Sequence, residues 1–95
     1  MFSHKLSKAG ELALEGDLTL QNIKEVKDAL LKAINKANAI TLNLEGATDV
    51  DFSFLQLVRA AQKSCEIREK TLTLENVPSR YQDLSEQSGF VQGHR

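Results

Sequence analysis

Hydrophobic residues recur along the chain with two different spacings. In three segments they occupy every second position, which is typical of strands with one buried face. A weaker alternation at residues 2–8 would pair with the first of these segments in a hairpin that turns at Ala9-Gly10. The three strong segments are LALEG (12–16), AITLNLEG (39–46) and KTLTLENV (70–77).

Elsewhere the apolar residues fall three and four positions apart, the spacing of one helix face. Residues 17–38 show this pattern with Thr19 as a candidate N-cap, and their lysine-rich opposite face predicts a solvated surface. Residues 54–69 repeat it. Pro78 ends the third strong strand, and a last helix is predicted from a cap at Ser79 to a stop at Gly89.

These elements follow one another in the order β-β-α-β-α-β-α. Right-handed crossovers between the strands would place the helices against a mixed sheet of about four strands, with residues 39–46 most central. The sequence therefore predicts a small α/β protein that forms one domain over residues 1–95.

Composition narrows the class of protein. A formal net charge of -1 gives no bulk attraction to nucleic acid or to an anionic membrane. Cys65 is the only cysteine, so it is predicted to be a buried thiol, and neither an internal disulfide nor a cysteine metal cluster can form. With no apolar leader and no span of about 18 apolar residues, we expect a soluble cytoplasmic protein without membrane insertion.

The segment Asp51-Phe52-Ser53-Phe54 stands where a strand should give way to a helix. Asp51 can act as the N-cap. The core stripe of the following helix leaves Phe52 on the side of Gln56 and Arg59, which should face solvent. An exposed Phe52 near Leu18 and Leu20 would form an apolar patch of the kind that marks protein contacts, whereas the alternative is that Phe52 packs down against the strand ends.

No other group of residues predicts chemistry. Asp17, Asp49 and Asp51 could gather near one sheet edge, but they lack a ligand spacing and are interpreted as solvated loop carboxylates rather than a metal site. His4 and His94 have no nearby acid or nucleophile, and the glycines are scattered rather than grouped in a phosphate loop. The sequence therefore predicts no enzyme activity, no cofactor and no nucleic-acid partner.

Three consecutive segments together resemble the sulfate-transporter and anti-sigma-factor-antagonist (STAS) family, over about residues 11–90. The features that match are Gly-Asp after a strand, a strand that ends near Asp51, and Leu-Gln-Leu-Val in the next helix. A Leu-Glu-Asn-Val-Pro segment before a helix that ends in Ser-Gly-Phe completes the likeness. The three segments are LEGDLTLQNIKEVKDALLKAI (14–34), AITLNLEGATDVDFSFLQLVRAAQKS (39–64) and KTLTLENVPSRYQDLSEQSGF (70–90).

The resemblance implies a switch that this chain lacks in its usual form. In phosphorylated members, an aspartate is followed by a phosphorylated Ser or Thr, a small residue and a glycine. Asp51 matches the aspartate, Phe52 occupies the acceptor position, and Ser53 and Phe54 replace the last two residues. Ser53 remains the candidate phosphoacceptor, although helix rotation of about 100° per residue points it in another direction.

The resemblance further implies a non-catalytic bacterial module that regulates transcription by binding a protein, such as a serine-kinase anti-sigma factor. We expect binding without a phospho-switch, and a homodimer is compatible with the sequence. The alternatives are an antagonist phosphorylated on Ser53 and an accessory subunit of a lipid or ABC transport system. The expected partner-binding residues are Asp17, Leu18, Leu20, Asp49, Asp51, Phe52, Gln56 and Arg59.

Overall fold

The computed structural model describes residues 2–87, which form five strands and three α-helices. A short 3-10 turn, Leu20–Asn22, precedes the first helix. The elements in chain order are β1 (Phe2–Leu6), β2 (Glu11–Leu18), α1 (Ile23–Lys36), β3 (Ala39–Asn43), β4 (Ala47–Val50), α2 (Phe52–Ile67), β5 (Thr71–Glu75) and α3 (Ser79–Gln87).

The strands form one mixed sheet, which confirms the predicted α/β class. β1 pairs antiparallel with β2, as expected from the hairpin at Ala9-Gly10. β3 lies parallel to the first half of β2, β5 lies parallel to β3, and β4 lies parallel to the end of β2. Because α1 follows β2 and α2 follows β4, both helices begin at the same edge of the sheet.

The strand β4 is the one strand that the hydrophobic pattern did not predict. Only Val50 of its four residues is buried, so its sequence carries no alternation. After a turn at residues 44–46 the chain continues in the direction of β3, and β4 pairs with the end of β2. At this turn the Gly16 amide donates to the Gly46 carbonyl and the Ala47 amide to the Leu44 carbonyl. A short strand of this kind depends on its neighbours rather than on its own residues.

The core lies between one face of the sheet and the helices α1 and α2. Leu12, Leu14 and Leu18 of β2 and Ile40 and Leu42 of β3 are buried, and the buried stripes of the two helices face them. Cys65 is buried as predicted, and desolvation raises the pKa of its thiol despite the nearby charges of Lys70 and Arg68. The buried residues of α1 and α2 are Val26, Ala29, Leu30, Ala33, Ile34, Phe54, Leu55, Val58, Ala61 and Cys65.

The helix ends differ from the predicted ones. Thr19 has an extended backbone before the 3-10 turn and makes no capping hydrogen bond with its side chain, so its predicted role is wrong. Leu20, placed by spacing in the stripe of α1, lies in that turn and is exposed. α3 begins at Ser79 itself, so Ser79 is not its cap. The predicted stop at Gly89 and the residue His94 lie outside the described residues.

The hairpin turn generates a first prediction. Gly10 has a φ of 90°, and a Cβ at this position would collide with the carbonyl oxygen of Ala39. We expect Gly10→Ala to lower the free energy of unfolding by about 1–3 kcal/mol, measured by urea denaturation, because the backbone must shift to relieve both strains. The matched control is Lys8→Ala at an exposed position of the same turn, which should change the free energy of unfolding by less than about 0.5 kcal/mol. Equal stability of the Gly10 variant and the control would contradict the prediction.

Candidate functional site

Two neighbouring parallel strands end together at one edge of the sheet. Asp17 of β2 is paired in register with Asp49 of β4, and Leu18 with Val50. Beyond this point β2 continues into the 3-10 turn, whereas β4 continues through Asp51 into α2. Carboxyl ends of parallel strands are the usual location of binding sites in α/β proteins. The turn and the start of α2 therefore form the candidate site.

The Asp51 carboxylate joins these two chain segments. One oxygen, Oδ1, accepts hydrogen bonds from the Ser53 hydroxyl at 2.6 Å and from the Phe54 amide at 3.2 Å. The other, Oδ2, accepts from the backbone amide of Leu20 at 2.9 Å. Asp51 is thus the N-cap of α2, as predicted from sequence, and it also fixes the turn after β2.

The protonation of Asp51 reflects these contacts. Partial desolvation favours the neutral acid and by itself raises the pKa. The hydrogen bonds from the Ser53 hydroxyl and from the backbone amides of Leu20, Phe54 and Ser53 act in the opposite direction and outweigh it, so the pKa of Asp51 is lowered. The carboxylate is therefore ionised at neutral pH, the form that accepts all of these hydrogen bonds.

Two large apolar side chains are exposed at the candidate site, one in the 3-10 turn and one at the start of α2. Leu20 is 69% exposed and Phe52 is 45% exposed. The backbones of these two residues lie close together, because the Leu20 amide donates a hydrogen bond to Asp51 and Phe52 follows Asp51 in the chain. We call Leu20 and Phe52 the helix-start patch. Leu18, which was expected to contribute to it, is fully buried in the core as the last residue of β2, whereas Leu20 lies beyond the strand in the 3-10 turn.

Ser53 and Phe54 occupy different environments from Phe52. The Ser53 side chain is half-buried, and its hydroxyl donates to Asp51. Phe54 is fully buried, at the centre of the stripe rather than at its margin, and it meets the ring of Tyr81 edge to face at a centroid distance of 6.0 Å. Phe54 thereby anchors the first turn of α2 to α3, whereas Phe52 remains at the surface.

Asp17 and Asp49 have structural partners. Asp17 accepts from the Thr48 hydroxyl at 2.8 Å, and its carbonyl accepts from the Asn22 amide group at 2.9 Å. Asp49 accepts from the Val50 amide at 2.9 Å, and its Oδ1 lies 4.0 Å from Nε of Arg80. Within residues 2–87, no three acidic, histidine or cysteine side chains are grouped closely enough to hold a metal ion.

Gln56 and Arg59 lie on the exposed side of α2, beyond Phe52. The positive charge of Arg59 acts on Tyr81 of α3. Burial nevertheless dominates at Tyr81 and raises its pKa to about 12. The Tyr81 hydroxyl is buried and has no hydrogen-bond partner among the described residues. Arg59 therefore lies near enough to α3 for its charge to act on Tyr81.

Sequence reasoning missed the contact between Asp51 and the Leu20 amide. The two residues are 31 positions apart, and a backbone amide carries no side-chain identity that could indicate the contact. The only available signal was the predicted adjacency of two strand ends.

Comparisons with known proteins agree with this architecture. The family model described as "Mlab, STAS domain" matches residues 2–92. No curated protein sequence matches the chain significantly. Among residues 2–87, no helix is long and apolar enough to cross a membrane.

Several solved structures share the fold at low sequence identity. The anti-sigma factor antagonist SpoIIAA in its unphosphorylated form is 18% identical, with a TM-score of 0.68 over 90% of this chain and 82% of that one. The Bacillus cell fate determinant SpoIIAA in its phosphorylated form is also 18% identical, with a TM-score of 0.71 over 95% and 85%. Mglu is 16% identical, with a TM-score of 0.62 over 82% of this chain and 20% of its own.

The Asp51 contacts generate a second prediction. We expect Asp51→Ala to lower the free energy of unfolding at pH 7 by about 1–3 kcal/mol, because it removes a helix cap and leaves the Leu20 amide without its acceptor. Since the folded pKa is lowered, the carboxylate contributes fully above the ordinary aspartate pKa of about 3.9. That contribution should disappear as the pH falls through the folded pKa, so the difference from wild type should shrink in acid.

The measurement is chemical denaturation of both proteins between neutral and acidic pH. Asp28→Ala, on the exposed middle of α1, is the matched control and should show little difference at any pH. A deficit in Asp51→Ala that stays constant down to strongly acidic pH would contradict the assigned role of the ionised carboxylate.

Proposed function

This chain belongs to the STAS domain family, and we propose that it is a non-catalytic bacterial regulatory module that binds a protein partner through the helix-start patch. The binding is constitutive, without the phosphorylation that would release a partner. The proposed setting is the cytoplasm, with a serine-kinase anti-sigma factor as the partner class.

The observation that carries the proposal is the exposure of Leu20 and Phe52 beside a fixed strand end. Exposed aromatic and aliphatic side chains next to each other lose unfavourable contact with water when a partner covers them. The Asp51 hydrogen bonds hold the two segments in place before binding, so less conformational freedom is lost on association. A prearranged apolar patch with a polar surround suits a protein contact.

The side chains in the first turn of α2 support binding that is not controlled by phosphorylation. A phosphate at a helix N-terminus is favoured by free amides and by the helix dipole. Here the residue in the acceptor position, Phe52, has no hydroxyl. A phosphate on Ser53 would place about two negative charges beside the Asp51 carboxylate and would remove the hydrogen bond between them. SpoIIAA, by contrast, is known in phosphorylated and unphosphorylated forms.

The patch generates a third prediction. We expect Phe52→Ala to reduce recovery of the partner at least tenfold when the tagged protein is purified from its own host and the bound proteins are quantified by mass spectrometry. A loss of about 1.4 kcal/mol in binding suffices for that change. Because Phe52 is partly exposed, the variant should remain folded. Thr73→Ala, on the exposed side of β5, is the control and should recover the partner as wild type does.

Unchanged recovery with folded Phe52→Ala would exclude the helix-start patch as the binding surface. The identity of the recovered protein tests the partner class. A serine-kinase anti-sigma factor supports the proposal, whereas a transporter ATPase would support the alternative of an accessory subunit in a lipid or ABC transport system.

Phosphorylation generates a fourth prediction. We expect no phosphate on Ser53 when the protein is incubated with ATP and a lysate of its host, because the hydroxyl is half-buried and bonded to Asp51. Mass spectrometry of the tryptic peptides measures this, with Ser53→Ala as the matched control. Phosphate on Ser53 that is absent from the control would instead support an antagonist whose acceptor has moved by one residue.

A further inference from the structure

A second surface is formed by the sides of α1 and α2 that face each other. A groove runs between the two helices, and most of its lining is apolar or small. Leu31 is 45% exposed at its edge on α1, and Ile67, three residues after Ser64 on α2, is 76% exposed. We call this surface the interhelix groove; its lining includes Lys27, Leu31, Ile34, Leu57, Ala60 and Ser64.

The ends of the groove are defined by the fold. Since α1 and α2 both begin at the carboxyl ends of parallel strands, the two helices run in the same direction. At the far end, Nη2 of Arg68 donates to Oδ1 of Asn35 at 3.0 Å and closes the space between them. The groove lining covers residues 27–34 of α1 and 57–64 of α2, which is about two turns of each helix or roughly 12 Å.

Charge around the groove has one sign. Lys27 lines it, and the exposed Lys24 lies three residues earlier on α1. The acidic residues of the two helices are elsewhere. Glu25 and Asp28 face the cleft beside β1, and Glu66 faces the cleft beside β5. The rim is thus basic although the whole chain has a net charge of -1.

We propose that the interhelix groove binds an amphipathic helix of a protein partner, with an apolar stripe in the groove and acidic side chains beside Lys24 and Lys27. Small residues such as Ala60 and Ser64 allow a helix backbone to approach closely. The apolar contacts supply affinity, and the lysines fix the orientation and select acidic partners. A second copy of this chain is a poorer occupant, because a symmetric contact would bring the lysine rims together. This inference does not depend on the proposed function of the helix-start patch.

The test uses two synthetic helical peptides of about 18 residues, roughly 27 Å when helical. Both carry leucines at positions three and four apart, and they differ only in their flanking residues, which are glutamates in one and lysines in the other. Binding of each dye-labelled peptide to the full chain is measured by fluorescence anisotropy. We expect the glutamate peptide to bind at least tenfold more tightly than the lysine peptide.

Variants locate the site. Leu31→Glu should weaken binding of the glutamate peptide at least tenfold, and Lys27→Glu, at an exposed lysine, should reduce the preference for it. Thr73→Glu adds the same charge on the exposed side of β5 and should bind as wild type does. Circular dichroism verifies that each variant is folded.

Three results would overturn the proposal. They are absence of binding by the glutamate peptide, equal binding of the two peptides, and unchanged binding by folded Leu31→Glu. Phosphatidylglycerol vesicles provide a further arm. If the vesicles bind through Leu31 and the peptide does not bind, the surface recognises lipid rather than a protein helix, and the proposal is wrong.

Discussion

The hydrogen bonds of the Asp51 carboxylate connect the two halves of the functional edge. Oδ1 accepts a hydrogen bond from the Phe54 amide in the first turn of α2. Oδ2 accepts one from the Leu20 amide, in the backbone that follows β2. Without them α2 would lose its N-cap, and the backbone amide of Leu20 would lose the carboxylate oxygen that accepts its hydrogen bond. The positions of Leu20 and Phe52 at the surface therefore depend on a single ionised side chain.

The core beneath this edge provides the rigidity that the surface requires. Phe54 is buried two residues after Phe52 and packs against Tyr81, so the first turn of α2 cannot rotate without breaking that contact. Because the helix rotates by about 100° per residue, these two side chains, two positions apart, point in nearly opposite directions, Phe54 into the core and Phe52 to the surface. Binding surfaces on such elements need little reorganisation when a partner arrives.

A fold shared with SpoIIAA does not determine how partner binding is regulated. The two proteins share the arrangement of strands and helices at 18% identity, while the chemistry of the helix start rests on a few side chains. In this chain a phenylalanine stands at the position that the family resemblance assigns to the phosphoacceptor, and the nearby serine is engaged by Asp51. The helix start of this chain therefore carries an exposed ring, and no hydroxyl, at that position.

The sequence by itself determined the elements in which hydrophobic residues recur at a regular spacing. It predicted the hairpin, the helical stripes, the cap at Asp51 and the buried Cys65, because each depends on residues a few positions apart. It left open whether Phe52 faces solvent or packs down against the strand ends. Tertiary structure decided the rest. The strand β4 forms only beside β2, Leu18 is buried whereas Leu20 is exposed, and the Leu20 amide meets a carboxylate 31 residues away. Such features depend on strand register and on the position of a backbone amide, which local spacing cannot specify.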